Sequence, residues 1–92
     1  MIKRFCHKGL KKFYESGLLI GIQKHHSKRL QLILTRLDVS KIPQDMNLPG
    51  LRLHKLTGEL KDFYSVTVKK NWRIIFRFKE NDVFDVDYID YH

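Results

Sequence analysis

The sequence is poor in cysteine and in long apolar runs, and each shortage excludes a class of protein. Cys6 is the one cysteine among 92 residues, so no intrachain disulfide is available and a reduced, cytoplasmic protein is expected. Apolar runs such as Leu18-Leu19-Ile20 are far too short to cross a bilayer, and the first residues lack the apolar stretch of a secretory signal. Because no repeat or linker-like stretch interrupts the chain, we predict one domain over residues 1–92.

Motifs for cofactor or metal chemistry are also missing. The chain has no glycine-rich phosphate loop, CxxC pair or HExxH sequence, so neither a cofactor nor a metal site is predicted. The side chains of His25 and His26 would leave a helix in different directions, which favours solvated helix surface over a metal site. We interpret Cys6 as a small packing residue, because no neighbour is arranged to activate its thiol.

Positive charge is what the chain has in excess. Lysine and arginine number 18 against 10 acidic residues, which gives a formal net charge of +8. Each phosphate that a cation neutralises releases condensed counterions, so nucleic acid or the ribosome is the leading candidate partner and an acidic protein the alternative. A hydrophobic content of 42% is sufficient for a folded core.

Apolar spacing predicts two helices followed by a set of strands. A brief strand at Ile2 and Phe5 precedes a helix over 7–16 that ends at Gly17, and a second, basic helix runs from about Gln23 to Asp38. After a long loop the period changes to two, which predicts strands over 51–56, 63–69 and 72–79, and a last one with Phe84, Val86 and Tyr88 facing inward. This order is typical of an α+β fold, with two N-terminal helices packed on one face of a mainly antiparallel sheet.

RNA is a substrate that needs no metal, because its own ribose 2′-hydroxyl can attack the adjacent phosphate. Such cleavage requires a base for the hydroxyl proton, an acid for the departing 5′-oxygen and a cation for the charge on phosphorus. His54, Arg73 and His92 have the required chemistry and could converge on one face of a small sheet. An exposed histidine, a surface arginine and a terminal residue explain the same three positions, and spacing alone does not decide between the two interpretations.

Five segments of the chain, in this order, resemble one protein family. They are Met1-Ile2-Lys3, His7-Lys8-Gly9-Leu10, Arg52-Leu53-His54-Lys55-Leu56 with Gly58, Asn71-Trp72-Arg73-Ile74, and Asp85-Val86-Asp87-Tyr88-Ile89-Asp90-Tyr91-His92. Together they resemble the HigB toxins of the RelE/ParE superfamily over essentially the whole chain. The combination of NWRI with a terminal DYH is far more specific than one short motif.

The resemblance implies a RelE-like fold and the toxin of a bacterial type II toxin–antitoxin system. It implies a ribosome-dependent mRNA endoribonuclease that cuts A-site codons, held inactive by a HigA-like helix-turn-helix antitoxin that supplies most of the contact with operator DNA. On the family's pattern His54 and His92 fall on acid/base positions, and Arg73 falls on the phosphate-stabilising position. On the same pattern Asp90 and Tyr91 flank the scissile region.

One position departs from that pattern. Relatives commonly have a lysine shortly after the strand histidine, where this chain has Thr57. A lysine there would stabilise charge on the phosphate, and Lys55 is expected to lie on the opposite side of the strand from His54. Activity is expected, at a reduced level.

A set of cations is predicted to hold ribosomal RNA or mRNA through phosphate contacts, although a solvated surface explains them equally well. They are Lys24, Lys28, Arg29, Arg36, Lys55, Lys69, Lys70 and Arg77. Two other functions remain open: a ParE-like toxin that inhibits DNA gyrase, and a basic RNA-binding module without catalysis. A gyrase inhibitor has no need of acid/base groups, so His54, Arg73 and the terminal histidine favour the nuclease.

Overall fold

A computed structural model describes residues 1–91, and His92, one of the predicted catalytic residues, lies outside them. Within that range two α-helices precede a four-stranded sheet, in which the strands lie in chain order and each is antiparallel to its neighbours. The elements are α1 (Lys8–Ser16), α2 (Ser27–Val39), β1 (His54–Lys55), β2 (Tyr64–Lys69), β3 (Trp72–Lys79) and β4 (Asp82–Asp90). The predicted α+β class is confirmed.

Local contacts cap both ends of α1, and the sequence predicts the one at Gly17. His7 Nδ1 accepts a hydrogen bond from the Leu10 backbone N–H at 2.9 Å, which caps the start of α1. Gly17 ends α1 with φ +76°, a conformation that costs glycine little. α2 begins later than predicted, because Lys24–His26 forms a separate 3₁₀ turn.

The core lies between the helices and one face of the sheet. Leu10 of α1 and Ile33 of α2 are fully buried in one cluster with Val66, Ile74 and Val86 of the strands. Alternation along each strand sends the intervening side chains to the other face. That second face carries polar residues such as Thr67 and Arg73, and a site can form there.

The first strand is much shorter than predicted. β1 has two residues in place of the six expected over 51–56. Gly50 and Arg52 both have left-handed φ values, +85° and +54°, so the chain turns twice before it becomes extended at His54. Leu51, between those turns, is buried and joins the core.

A bulge changes which residues of β4 face inward. Ile75 pairs with Asp87, whereas Arg77, two residues further on, pairs with Phe84, so β4 holds one extra residue in this interval. Asp85, with φ +55°, lies at this bulge. The prediction that Phe84 faces inward is therefore wrong: Val83 is buried in its place, and Phe84 lies under the Arg4 guanidinium at 5.9 Å.

The N-terminal segment runs beside β4 rather than forming a separate strand. Ile2 and Phe5 make isolated parallel bridges to Val83 and Val86. The backbone N–H of Lys3 donates to Val83 O at 2.7 Å. This segment covers the outer edge of β4, which otherwise would present unpaired backbone groups.

Two minor sequence interpretations are wrong. His26 is buried, with 2% of its surface exposed, because the 3₁₀ turn before α2 points its ring at Tyr88 and Trp72. Cys6 is exposed rather than packed in the core. No helix within residues 1–91 is long and apolar enough to cross a membrane.

Candidate active site

An open cleft of about 430 Å³ lies on the second face of the sheet, opposite the core. It is lined by Arg52, His54, Lys55, Leu56, Thr57, Ser65, Thr67, Arg73, Ile75 and Tyr91. Three of the five predicted catalytic residues, His54, Arg73 and Tyr91, thus meet in one concavity although 37 positions separate the first from the last. Among residues 1–91 no carboxylate lines the cleft, so the described part of the site is cationic and suits an anion.

The sheet register places the histidine and the arginine in adjacent rows. His54 lies opposite Ser65, which in turn lies opposite Ile75. Arg73 lies opposite Thr67 in the neighbouring row. Neighbouring strands are about 4.8 Å apart, so an imidazole on β1 and a guanidinium on β3 can approach one bound group from two sides.

Arg73 is held in place by backbone carbonyls at the β2–β3 turn. Its Nη1 donates to Lys70 O and, at 3.2 Å, to Trp72 O. These bonds use one edge of the guanidinium and leave further donors of the planar fork for a ligand. The side chain is half-buried, so its orientation is fixed before any ligand arrives.

The end of β4 brings the C-terminal candidates to the mouth of the cleft. The Tyr91 N–H donates to Asn71 O at 2.7 Å, which pins the backbone while the ring lines the cleft. Asp90 lies opposite Trp72 at the exposed end of the strand and does not line the cleft. His92 follows directly in sequence, outside the described residues.

Sequence reasoning missed three polar residues of the lining: Arg52, Ser65 and Thr67. Ser65 and Thr67 alternate with the buried Val66 and Val68, so strand parity could have placed them on the outer face. Arg52 carries no such signal, because its position follows from the two left-handed turns before β1. Thr57, which stands where relatives commonly have a lysine, also lines the cleft.

The eight predicted RNA-binding cations fall into two groups. Five lysines are exposed, and of these Lys55 lines the cleft. The three arginines bind within the protein: Arg29 donates to Gly50 O at 2.6 Å, Arg36 to Asp45 O at 3.1 Å, and Arg77 to Asp85 at 2.6 Å. The five lysines are Lys24, Lys28, Lys55, Lys69 and Lys70.

Asp85 organises charge on the outer face away from the cleft. It accepts hydrogen bonds from Arg4 and Arg77, and the bond from Arg4 is the main reason that its pKa lies below the ordinary value. Both guanidiniums are thereby partly neutralised. Within residues 1–91 no three histidine, cysteine or acidic side chains gather closely enough to hold a metal ion.

The arrangement has the components of metal-free phosphate chemistry. An imidazole able to move a proton, a fixed guanidinium and a phenol share one open cationic cleft. A phosphodiester could lie across the sheet surface between them. The openness of the cleft suits a polymeric ligand better than an enclosed small molecule.

Comparison with known proteins gives a consistent result. Residues 3–92 match the family model described as the RelE-like toxin HigB of type II toxin–antitoxin systems. The chain is 37% identical to Endoribonuclease HigB of Proteus vulgaris over 92 residues, covering all of both chains.

Two solved structures share the fold. One is a toxin–antitoxin complex of YoeB and YefM from Staphylococcus aureus, with TM-score 0.62, 17% identity and coverage of 100% of this chain and 98% of the other. The second is a copper-bound mutant toxin from Helicobacter pylori, with TM-score 0.54, 21% identity and coverage of 98% and 94%. At these identities the two structures support the fold alone.

Proposed function

This chain belongs to the HigB-like family of RelE-like toxins from type II toxin–antitoxin systems, and we propose that it acts as an endoribonuclease on messenger RNA held in the ribosomal A site. The observation that carries the proposal is the cleft in which His54 and Arg73 meet. The full-length identity with a curated endoribonuclease supports the activity. The toxin works as one domain across residues 1–92 in the cytoplasm.

The reaction is an internal transesterification of RNA. A base takes the proton of the ribose 2′-hydroxyl, the 2′-oxygen bonds to phosphorus, and the bond from phosphorus to the 5′-oxygen breaks. An acid gives that oxygen a proton, so the products are a 2′,3′-cyclic phosphate and a 5′-hydroxyl. Neither an oxidant nor a metal enters this balance.

His54 and His92 are the proposed proton-transfer groups, and either can serve as base or acid. Arg73 stabilises the charge that develops on phosphorus, since its guanidinium is already oriented by the carbonyls of Lys70 and Trp72. Tyr91 lines the cleft and positions the scissile segment. Asp90 stabilises the protonated form of a neighbouring histidine.

The ribosome would complete this sparse site by orienting the message. The 2′-oxygen must lie in line with the departing oxygen, and holding RNA in that geometry contributes a large part of the rate. The exposed lysines at 24, 28, 55, 69 and 70 are proposed to contact RNA phosphates. The contributions of Arg29, Arg36 and Arg77 are smaller in this scheme, because each already binds within the protein.

The proposed antitoxin is a HigA-like helix-turn-helix protein. The toxin–antitoxin family supports an antitoxin as partner. Operator DNA would be bound by the toxin only as part of that complex. The net charge of +8 suits an acidic antitoxin surface as well as RNA.

Cleavage on programmed ribosomes tests the proposed function directly. A defined message is translated with purified 70S ribosomes and the toxin, and cut sites are mapped by primer extension. Wild type should cut within A-site codons, while His54→Ala and His92→Ala should each lower the rate about 10²- to 10⁴-fold. Arg73→Ala should lower it about 10²- to 10³-fold, because it removes one preoriented donor.

The matched control is Lys79→Ala, which removes an exposed cation at the far end of β3 and should cut normally. Rapid cutting of free RNA would contradict ribosome dependence. Inhibition of DNA supercoiling by gyrase, without RNA cleavage, would favour the ParE-like alternative. Salt-sensitive RNA binding with intact transcripts would favour a non-catalytic module.

A further inference from the structure

We propose that Arg52 is a second phosphate-contacting cation, which faces Arg73 across the cleft and stabilises the charge on the reacting phosphate. The inference rests on the proposed function and extends it to a residue that the site described above does not use. Arg52 lines the cleft together with His54 and Arg73. It supplies a full positive charge on the side where Thr57 offers only a neutral hydroxyl.

The backbone places the segment that carries Arg52 beside Thr67, which lies opposite Arg73. The Thr67 N–H donates to Leu51 O at 2.7 Å, which continues the pairing of this segment with β2. Thr67 lies opposite Arg73 on the next strand. Two strand intervals separate this segment from β3 by about 10 Å. Both arginines line the same cleft, so a phosphate bound between them can contact both guanidiniums.

The local backbone is fixed in an unusual conformation that directs Arg52 to the cleft. Its φ of +54° is one that non-glycine side chains rarely adopt. Burial of Leu51 on one side and the extended residue His54 on the other fix the segment. Arg29 adds a further restraint by donating to Gly50 O at 2.6 Å. A cation held at such a position is preorganised.

The Arg52 guanidinium is available for a ligand. Among the residues the structure describes, it makes no hydrogen bond or ion pair, and the cleft lining contains no carboxylate to neutralise it. Arg73, by contrast, already donates hydrogen bonds from Nη1 to two backbone carbonyls. Lys55 also borders the cleft, but it borders the adjoining concavity with Asp62 as well. Arg52 is therefore the better candidate for the reacting phosphate.

Single-turnover cleavage on programmed ribosomes tests this role through Arg52→Ala and Arg52→Lys. With toxin in saturating excess, Arg52→Ala should lower the cleavage rate about 100-fold, the effect of losing one preoriented donor. The toxin concentration for half-maximal rate should change less than the rate itself. Arg52→Lys should retain an intermediate rate, because lysine keeps the charge and loses the planar fork. Lys79→Ala is the matched charge control, and thermal unfolding verifies that each variant is folded.

A second arm places the cation elsewhere in the same cleft. Adding Thr57→Lys to Arg52→Ala should raise the cleavage rate at least tenfold. The same substitution in wild type should change the rate much less, because wild type already has a cation in the cleft. A non-additive result of this kind indicates a shared role.

The outcomes separate the two proposals. A wild type that leaves ribosome-bound message intact would refute the proposed function, and this inference with it. If wild type cuts and Arg52→Ala loses no more of the cleavage rate than Lys79→Ala does, the role of Arg52 alone would be refuted. An effect of Arg52→Ala confined to the half-maximal concentration would also overturn it, since that would be ground-state binding.

Discussion

His26 and Tyr88 connect the helical layer to the last strand through a single hydrogen bond. His26 Nδ1 and the Tyr88 hydroxyl are 2.6 Å apart, and both side chains are buried. The phenol proton can be donated to Nδ1 of an unprotonated imidazole. Burial is the main cause that lowers the pKa of His26, and His25 and Lys69 lower it further.

Stability should therefore decline in mild acid. The pKa of His26 is lower in the folded than in the unfolded chain, so its contribution is complete above about pH 6.5 and is lost as the pH falls toward the folded value. Chemical denaturation between pH 7.5 and 5 should show this decline in the free energy of unfolding of wild type. The decline should be weaker in His26→Gln, whereas the exposed control His25→Gln should keep most of it. An identical pH profile for wild type and His26→Gln would contradict the assignment.

Tyr88→Phe tests the hydrogen bond itself. Removing the hydroxyl leaves a buried imidazole nitrogen without its partner, which should lower the free energy of unfolding by about 1 to 3 kcal/mol at neutral pH. The measurement is urea denaturation at constant pH. A change below a few tenths of a kcal/mol would mean that water replaces the hydroxyl.

Single residues were predictable where strand or helix parity decided their position. Leu10, Ile33 and Ile74 were placed correctly, because their spacing alone selects the buried face. The burial of His26 was missed, since it depends on a 3₁₀ turn meeting β4. Arg52 was missed for a related reason: no local pattern signals a left-handed residue just before a strand.

At the scale of elements, β4 combines pairing on both of its edges with a bulge. It pairs with β3 on one edge and with the N-terminal segment on the other, and its bulge at Asp85 joins the two. Asp85 receives Arg4 from that segment and Arg77 from β3. One carboxylate thus links three neighbouring pieces of backbone. Its side chain is 15% exposed, so solvent screens this network only in part.

Asp85→Asn should weaken this connection without disturbing the turn, because asparagine also tolerates the left-handed conformation. The expected loss is about 1 kcal/mol in the free energy of unfolding at pH 7. The pKa of Asp85 is lower in the folded chain, so its stabilisation is present above about pH 3.8 and is lost as pH falls through the folded value. Acid unfolding should therefore be less steep in Asp85→Asn than in wild type, whereas the exposed control Asp62→Asn should unfold as wild type does.

Element type was predictable from period, and element boundaries were not. The strands after Gly50 were recognised from alternation, yet alternation did not reveal the bulge, since Val83 and Phe84 are both acceptable inward residues. β1 was overestimated because Leu51 and Leu53 imitate a strand pattern. For the site, His54 and Arg73 followed from chemistry and resemblance, while the place of Arg52 in the cleft depends on the left-handed turns before β1.

At the scale of the whole molecule, positive charge is sorted by what surrounds it. The arginines at 29, 36 and 77 hold loops and strands together, and the exposed lysines remain available to an external polyanion. Cations of the first kind contribute to stability, and those of the second kind contribute to salt-dependent association. The net charge of +8 alone does not make this distinction.

Ribosome association should follow this division. Lys24→Ala with Lys28→Ala should flatten the dependence of log K on log salt concentration by about 1.4 to 1.8, which is two phosphate contacts. The paired control is Lys11→Ala with Lys12→Ala, two exposed cations on α1 that should leave the slope unchanged. Equal slopes for both double variants would show that Lys24 and Lys28 do not contact RNA.

The pairing of residues 2–6 with β4 also constrains when the protein can first be active. Arg4 and Asp85 are 81 positions apart, so the segment that is translated early has no partner until the late strand emerges. At about 5 to 20 residues per second, the wait is roughly 4 to 16 s. During that time Tyr91 has not been added and the cleft is unfinished. On the proposed assignment of the cleft, the nascent toxin is harmless to the ribosome that is making it.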